Sequence, residues 1–312
     1  MRSPIPPVAS ANALVAVLSL ALLWGLNWPA VKIVLSWWSP WALRSVGLGV
    51  GGLLLFGLAI ARRETLRIAP GQRLRLVISS LLSIVGFNLG TAFAQMVGST
   101  SRAAIVTYSM PVWVVLIAWL MIGEKPDRTR QVAVLLGVLG LALLGIPLVH
   151  VDDSPAGPLF ALAAGLSWAI GTVFVKRYPN SASAMVSTAW QLAIGATVSL
   201  AGWLLWRAPA QPDVLAAYPP TWFWIALAFH VVLATALAYL IWFNVVARMP
   251  AGVASMGTLL VPVVGVGGAM LLLGERPSAS DLGGFVLITA AAALALLAPR
   301  AASTNEQRGE EY

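Results

Sequence analysis

Two similar stretches of sequence decide the fold: PVWVVLIAWLMIGEKP at positions 111–126 and PVVGVGGAMLLLGERP at positions 262–277. Each begins with a proline, continues as an apolar run and ends in Gly-Glu-(Lys/Arg)-Pro. The residue numbers differ by 151 at both ends of the run. Because chance rarely preserves the same spacing at two separate features, the chain contains an internal duplication.

A second pair of motifs extends this duplication toward the N-terminus. Trp24 and Lys32 recur as Trp168 and Lys176, with residue numbers that differ by 144. Insertions and deletions in loops account for the difference between the two spacings. We therefore predict two repeats, at residues 1–149 and 150–298, followed by a cytoplasmic tail at residues 299–312.

The composition indicates a membrane protein. Of the 312 residues, 59% are apolar and 10% are charged, whereas soluble domains average about 45–50% apolar and about 25% charged. The chain has 28 Gly, 20 Pro, 14 Trp and no Cys. Gly, Pro and interfacial Trp are common in transmembrane bundles. The composition excludes an ordinary soluble enzyme, and the absence of Cys excludes disulfides and thiolate chemistry.

Ten apolar segments are each about long enough to cross a bilayer, which takes roughly 20 residues. We therefore predict an all-α integral membrane protein with ten transmembrane helices. The first segment is longer than the apolar region of a signal peptide, so we interpret it as a spanning helix. The predicted segments are 12–34, 41–61, 75–96, 101–122, 131–149, 157–175, 184–206, 221–246, 252–273 and 281–298.

The basic residues predict the orientation, because Lys and Arg concentrate in cytoplasmic loops. If both termini are cytoplasmic, only five of the 19 basic residues lie outside: Lys32, Arg44, Arg102, Arg207 and Arg276. Arg44 is thereby placed at the outer interface. For Lys32 and Lys176, attraction of anionic solutes and extension toward lipid headgroups both remain open. Since each repeat holds five spans, the second repeat is inverted relative to the first.

These features resemble the drug/metabolite transporter superfamily and its EamA-type ten-helix exporters. The resemblance rests on the five-plus-five spans, on Trp24 with Lys32, and on the repeated Pro…Gly-Glu-(Lys/Arg)-Pro ends. It covers residues 12–298 and is nearest to the YddG branch of aromatic amino-acid exporters. It implies export of small organic solutes, often amino acids, across the bacterial inner membrane.

The predicted spans lack the residues and motifs that enzymes and pumps typically use. The span interiors contain no Asp or Glu, and the chain lacks a phosphate-binding G-x-x-x-x-G-K-[ST] motif. Two distant histidines do not form a metal site. The G-x-G-x-x-G match at 47–52 lies within a predicted span, where close helix packing explains it better than dinucleotide binding. We expect no enzymatic activity, no cofactor, no bound metal and no nucleic-acid partner.

A solute crossing the membrane needs polar partners and a surface for its side chain. Polar residues near mid-span should face the bundle interior, since unpaired polar groups are costly in lipid. For His230, proton coupling and simple hydrogen bonding within the bundle both remain open. The predicted substrate-binding residues are Trp24, Asn27, Trp28, Asn88, Thr91, Trp113, Trp168, Thr172, His230 and Tyr239.

We interpret the chain as a secondary exporter of aromatic and other neutral amino acids that works by alternating access between its two halves. With no charged side chain predicted at mid-span, broad selectivity is expected. The alternatives are efflux of drugs or other metabolites, a lipid flippase and a passive channel. The expected partners are the small-molecule substrate and the lipid bilayer, and the oligomeric state is left open, a monomer included.

The inverted topology predicts where the repeated Gly-Glu-(Lys/Arg)-Pro loops lie. Reporter tags inserted after Asp127 and after Ser278 should appear on opposite sides of the membrane, because five spans separate the two loops. Paired phosphatase and fluorescent-protein fusions measure this. Activity of both tags in one compartment would contradict the inverted repeat.

Overall fold

The computed structural model describes residues 11–98, 100–145, 155–206, 219–273 and 279–297. Within these ranges the chain is helical and contains no β-strand. The α-helices are α1 Ala11–Leu35, α2 Pro40–Ala61, α3 Arg73–Ser80, α4 Phe87–Val97, α5 Thr100–Thr107, α6 Met110–Ile122, α7 Arg128–Gly145, α8 Ala156–Arg177, α9 Ala184–Leu205, α10 Thr221–Ala228, α11 Ala238–Arg248, α12 Ala251–Gly257, α13 Leu260–Leu273 and α14 Ala279–Leu297.

In the described ranges the helices group into ten consecutive segments, which we number as spans. Six of the spans are the single helices α1, α2, α7, α8, α9 and α14, and four are built from two helices each. Seven helical segments are long and apolar enough to cross a membrane, and shorter apolar helices follow at Ala251–Gly265 and Leu282–Ala295. The predicted all-α membrane fold is confirmed. The predicted ends near 149 and 298 lie outside the described residues.

Two spans contain a stretch of π-helix, which the sequence did not reveal. Leu81–Gly86 joins α3 to α4, and Phe229–Leu237 joins α10 to α11. Two other spans break at a turn: α5 ends at Thr107 before α6, and α12 ends at Gly257 before α13. Pro111 and Pro262 follow these turns, where a missing backbone N–H is tolerated.

The second and seventh spans begin with the same cap. The Ser39 hydroxyl accepts a hydrogen bond from the backbone N–H of Ala42, and the Ser183 hydroxyl accepts one from Val186. Such caps satisfy one of the free N–H groups at a helix start. The two serines differ by 144 in residue number, the same spacing that separates the repeated Trp and Lys residues.

The two repeated lysines cap helix ends. Lys32 donates from Nζ to the carbonyl of Gln95, 3.1 Å away, in the last turn of α4. Lys176 donates to the carbonyls of Val246 and Met249, at 3.1 and 2.8 Å, where α11 ends. A cation there satisfies carbonyls that lack helical partners and complements the helix dipole. The ammonium groups thus contact helix ends of other spans.

The two halves share the same pattern of helix contacts. The main contacts of a span in the first half have counterparts when every span is replaced by the equivalent span of the other half. The second and seventh spans pack on each other as α2 and α9, and the fifth and tenth do so as α7 and α14. The first span packs against α13 and α11, and the sixth packs in the same way against α6 and α4. The candidate functional site lies where the first and sixth spans meet these partners.

Small residues permit the close approach of α2 and α9. A Cβ added to Gly52 would lie 3.3 Å from the carbonyl oxygen of Ala189 and 3.4 Å from the backbone nitrogen of Ala193. Gly57, one and a half turns further along α2, is exposed and would meet nothing within 4 Å. The glycines of 47–52 therefore serve helix packing, as the sequence indicated.

This difference predicts that Gly52→Leu destabilises the protein while Gly57→Leu does not. Overpacking against backbone atoms should lower the free energy of unfolding by about 1–3 kcal/mol. Equilibrium unfolding in mixed dodecylmaltoside–SDS micelles measures it, with Gly57→Leu as the matched control on the same helix. Equal losses in the two variants would contradict the packing account.

Candidate functional site

A cavity of about 40 Å³ lies between the first, sixth and eighth spans and their neighbours. This volume is below the range of about 300–1,000 Å³ typical of small-molecule sites, so the cavity is constricted in this conformation. We call it the central cavity. Its lining residues are Trp24, Asn27, Trp28, Val31, Arg44, Phe87, Asn88, Thr91, Gln95, Tyr108, Met110, Trp168, His230, Ala234, Thr235 and Tyr239.

The structure brings together most of the predicted site residues. Those that line the central cavity are Trp24, Asn27, Trp28, Asn88, Thr91, Trp168, His230 and Tyr239. Trp113 and Thr172 do not line it. The indole of Trp113 donates to the hydroxyl of Ser109, 3.2 Å away on its own span. Thr172 is buried one turn beyond Trp168, and its hydroxyl has no hydrogen-bond partner among the described residues.

Aromatic rings form one wall of the cavity. Trp24 on α1 and Trp168 on α8 both pack on Trp242, with ring centroids 5.6 and 4.6 Å apart. The indole N–H of Trp24 also donates to the carbonyl of Ala234, in the π-helical stretch of the eighth span, at 3.2 Å. π-Helical turns are frequent at functional sites. The repeated tryptophans thus contact one shared ring, which the sequence did not single out.

Hydrogen bonds fix a second set of lining residues. Trp28 donates from Nε1 to the hydroxyl of Tyr108 at 3.2 Å, and their rings lie 5.9 Å apart. Asn88 donates from Nδ2 to the hydroxyl of Tyr239, 2.6 Å away. These contacts join α1 to the turn before α6 and α4 to α11. The orientations of Tyr108 and Tyr239 toward the cavity are therefore set by partners on other helices.

Arg44, which was predicted to begin the second span next to the outer interface, points into the bundle. Arg44 is only 3% exposed and lines the central cavity. Its Nε donates to the carbonyl of Asn88 at 2.9 Å, and its Nη2 donates to the hydroxyl of Thr91 at 3.3 Å. A cation therefore lines the cavity near the start of α2, although no charged side chain was expected at mid-span.

His230 lies between Arg44 and Asn27. Arg44 Nη1 is 3.4 Å from His230 Nε2, and His230 Nδ1 is 2.8 Å from Asn27 Oδ1. Because a guanidinium only donates, Nε2 must accept, and Nδ1 carries the hydrogen that the amide oxygen accepts. This arrangement fits a neutral imidazole hydrogen-bonded within the bundle. A Cβ on Gly47 would lie 2.7 Å from His230 Nε2, so a glycine is needed opposite the ring.

The position of Arg44 on its helix is the signal that sequence reasoning missed. Arg44, Gly47 and Gly51 recur at three- and four-residue intervals and so share one face of α2. A face of small residues packs against neighbouring helices, so an arginine in line with it faces the bundle interior. The count of basic residues placed Arg44 outside with the loop residues and did not take this periodicity into account.

No group of His, Cys, Asp and Glu that could hold a metal ion occurs among the described residues. The chemistry available in the cavity is that of a binding site, with aromatic surfaces, neutral hydrogen-bonding groups and one guanidinium. Such a set can hold and release a solute but offers no nucleophile paired with a base.

Similarity to known proteins agrees with this picture. Residues 11–146 and 155–297 each match the profile described as "EamA-like transporter family". The "Uncharacterized transporter YvbV" of Bacillus subtilis is 30% identical over 278 residues, which cover 86% of each chain. The "Uncharacterized transporter YoaV" of the same organism is 27% identical over 89% of this chain and 94% of its own length.

A further relative and a solved structure extend these matches. The "Probable amino-acid metabolite efflux pump" of Salmonella typhimurium is 26% identical over 88% of this chain and 91% of its own length. A crystal structure at 20% sequence identity superposes with a TM-score of 0.76, covering 97% of this chain and all of the other, and it shows the fold alone. The two profile matches cover nearly the whole chain, which is therefore a member of the EamA-like transporter family.

Proposed function

We propose that this transporter exports aromatic and other neutral amino acids from the cytoplasm across the bacterial inner membrane, with both termini cytoplasmic. The observation that carries the proposal is the lining of the central cavity, where aromatic rings and polar groups of both halves converge. The Salmonella relative, named as a probable amino-acid metabolite efflux pump, supports the same substrate class.

The proposed mechanism is alternating access between two inverted repeats, residues 1–149 and 150–298. The symmetric helix pairing and the matching Ser39 and Ser183 caps support two equivalent halves. Equivalent halves have two arrangements of similar free energy, one open to each side of the membrane. The cavity is lined by both halves, so a relative movement of the halves changes the side from which it is reached.

The aromatic wall suits an amino-acid side chain better than it suits an organic cation. Trp24 and Trp168 offer faces on which aromatic or aliphatic side chains can pack. A cationic drug would meet the guanidinium of Arg44 and no carboxylate among the described lining residues. Drug efflux is therefore the weaker candidate, and the narrower resemblance to the YddG branch stays a prediction.

Counterflow in proteoliposomes tests the function. Liposomes preloaded with unlabelled phenylalanine should accumulate labelled phenylalanine transiently and saturably, because a carrier exchanges solutes through one site. The Trp24→Ala variant should lower the initial rate by about tenfold, the kinetic equivalent of about 1.4 kcal/mol of lost contact. The Trp203→Ala variant, which changes an exposed tryptophan of α9, is the matched control.

Two outcomes would contradict the proposal. Uptake equal to that of protein-free liposomes would show that phenylalanine is not a substrate. Uptake that rises linearly with concentration, without counterflow, would show a channel rather than a carrier.

A further inference from the structure

Arg44 is a buried cation whose contacts are all neutral. The guanidinium keeps its charge in proteins and carries five N–H donors. Three of these face a carbonyl, a hydroxyl and an imidazole, on Asn88, Thr91 and His230. These acceptors hold the guanidinium in place, but none of them carries a negative charge.

No carboxylate neutralises Arg44 in the part of the chain that the structure describes. The one ion pair found in those ranges joins Arg130 to Asp127, at the start of α7 and away from the cavity. A buried charge without an opposite charge is costly. A ligand that brings a negative charge into the central cavity would remove this cost, and a neutral or cationic ligand would not.

The contacts of Arg44 leave donors for such a ligand. Nη1 and Nη2 each carry two hydrogens, and each has one described contact, to His230 and Thr91. A guanidinium presents its N–H groups as a planar fork that can bind both oxygens of a carboxylate, and the remaining N–H groups are part of this fork. Because Arg44 lines the cavity, a carboxylate that reaches these N–H groups would bring its side chain toward the aromatic wall.

The cavity has no comparable partner for an ammonium group. Its described lining includes no Asp or Glu, so an ammonium would meet only aromatic faces, amides, hydroxyls and backbone carbonyls. Aromatic faces attract cations only moderately, by roughly 0.5–2 kcal/mol. The two ends of a zwitterion are therefore recognised unequally.

The two repeats also differ at this position. The spacing of 144 that relates Ser39 to Ser183 pairs Arg44 with Thr188 in α9. Thr188 is buried and donates its hydroxyl hydrogen to the carbonyl of Ala184, one turn earlier. The pseudo-symmetric bundle therefore carries one guanidinium rather than two, and the cavity offers a single site for an anion.

We propose that Arg44 is the carboxylate-binding residue of the central cavity, so that the transporter selects solutes with a free carboxylate and does not require their ammonium group. The substrate class is monocarboxylates with an apolar or aromatic side chain, which includes neutral amino acids and their deaminated analogues. The inference rests on the proposed transport function for its connection to amino acids, but the carboxylate site is testable by binding alone.

Competition against labelled phenylalanine in the counterflow assay distinguishes recognition of the carboxylate from recognition of the ammonium group. 3-Phenylpropionate, which lacks the ammonium, should inhibit within about tenfold of phenylalanine. Phenethylamine and phenylalaninamide, which lack the free carboxylate, should be about a hundredfold weaker inhibitors, since a site discriminates most strongly against ligands that leave its buried polar group unpaired. Equal inhibition by phenethylamine and 3-phenylpropionate would overturn the inference and leave the transport function intact.

Binding to the detergent-solubilised protein distinguishes this inference from the transport proposal. 3-Phenylpropionate should raise the thermal unfolding temperature of the wild type, as any ligand specific to the folded state does. The shift should be absent in Arg44→Gln and retained in Arg177→Gln, a matched control at the exposed end of α8. If this pattern appears without phenylalanine counterflow, the carboxylate-binding inference is supported and the proposal of amino-acid export is contradicted.

A structural role of Arg44 alone predicts a different result. If Arg44 only joined α2 to α4, its replacement would lower stability without changing which ligands bind. In Arg44→Gln, the preference for phenylalanine over phenylalaninamide should fall toward one, and Arg44→Lys, which keeps the charge but loses the fork, should be intermediate. An unchanged preference in either folded variant would overturn the inference.

Discussion

A guanidinium held in a membrane bundle by neutral groups is the constraint on which the rest of the site depends. Three helices contribute to holding it, since Arg44 on α2 reaches Asn88 and Thr91 on α4 and His230 in the eighth span. Each contact uses one donor and adds no negative charge. In a low-dielectric setting such a cation makes the cavity electropositive, which favours anionic groups among the solutes that can enter.

Contacts between spans surround this site. Lys32 caps the end of α4 and Lys176 caps the end of α11, so the first span is tied to the third and the sixth span to the eighth. The same two spans carry Trp24 and Trp168, which share contact with Trp242. A change in how the first and sixth spans pack would therefore alter the aromatic wall and the helix-end contacts together.

The sequence predicts the helical spans well because the cost of exposing polar backbone to lipid sets their length and composition. Depth within a span was also predictable, and Asn27, Asn88 and His230 do line one cavity. The direction in which a side chain points around the helix axis was not predictable from the sequence. Trp113 and Thr172 have suitable depth, yet Trp113 bonds Ser109 on its own span and Thr172 is buried beside the cavity rather than in it.

Two further features depend on the packed structure. The π-helical stretches at Leu81–Gly86 and Phe229–Leu237 follow from local hydrogen-bond register, which residue types do not determine. Arg44 was assigned to the interface because it lies near the start of its span. The alternative, an arginine facing inward, could be inferred only from its alignment with Gly47 and Gly51.

A crystal structure of the transporter with 4-bromophenylalanine tests the central claim most directly, because the anomalous signal of bromine locates the side chain and the electron density locates the carboxylate. The account predicts the bromine between the rings of Trp24 and Trp168 and the carboxylate within hydrogen-bond distance of Arg44 Nη1 and Nη2. A ligand bound outside the cavity, or one whose carboxylate points away from Arg44, would contradict it.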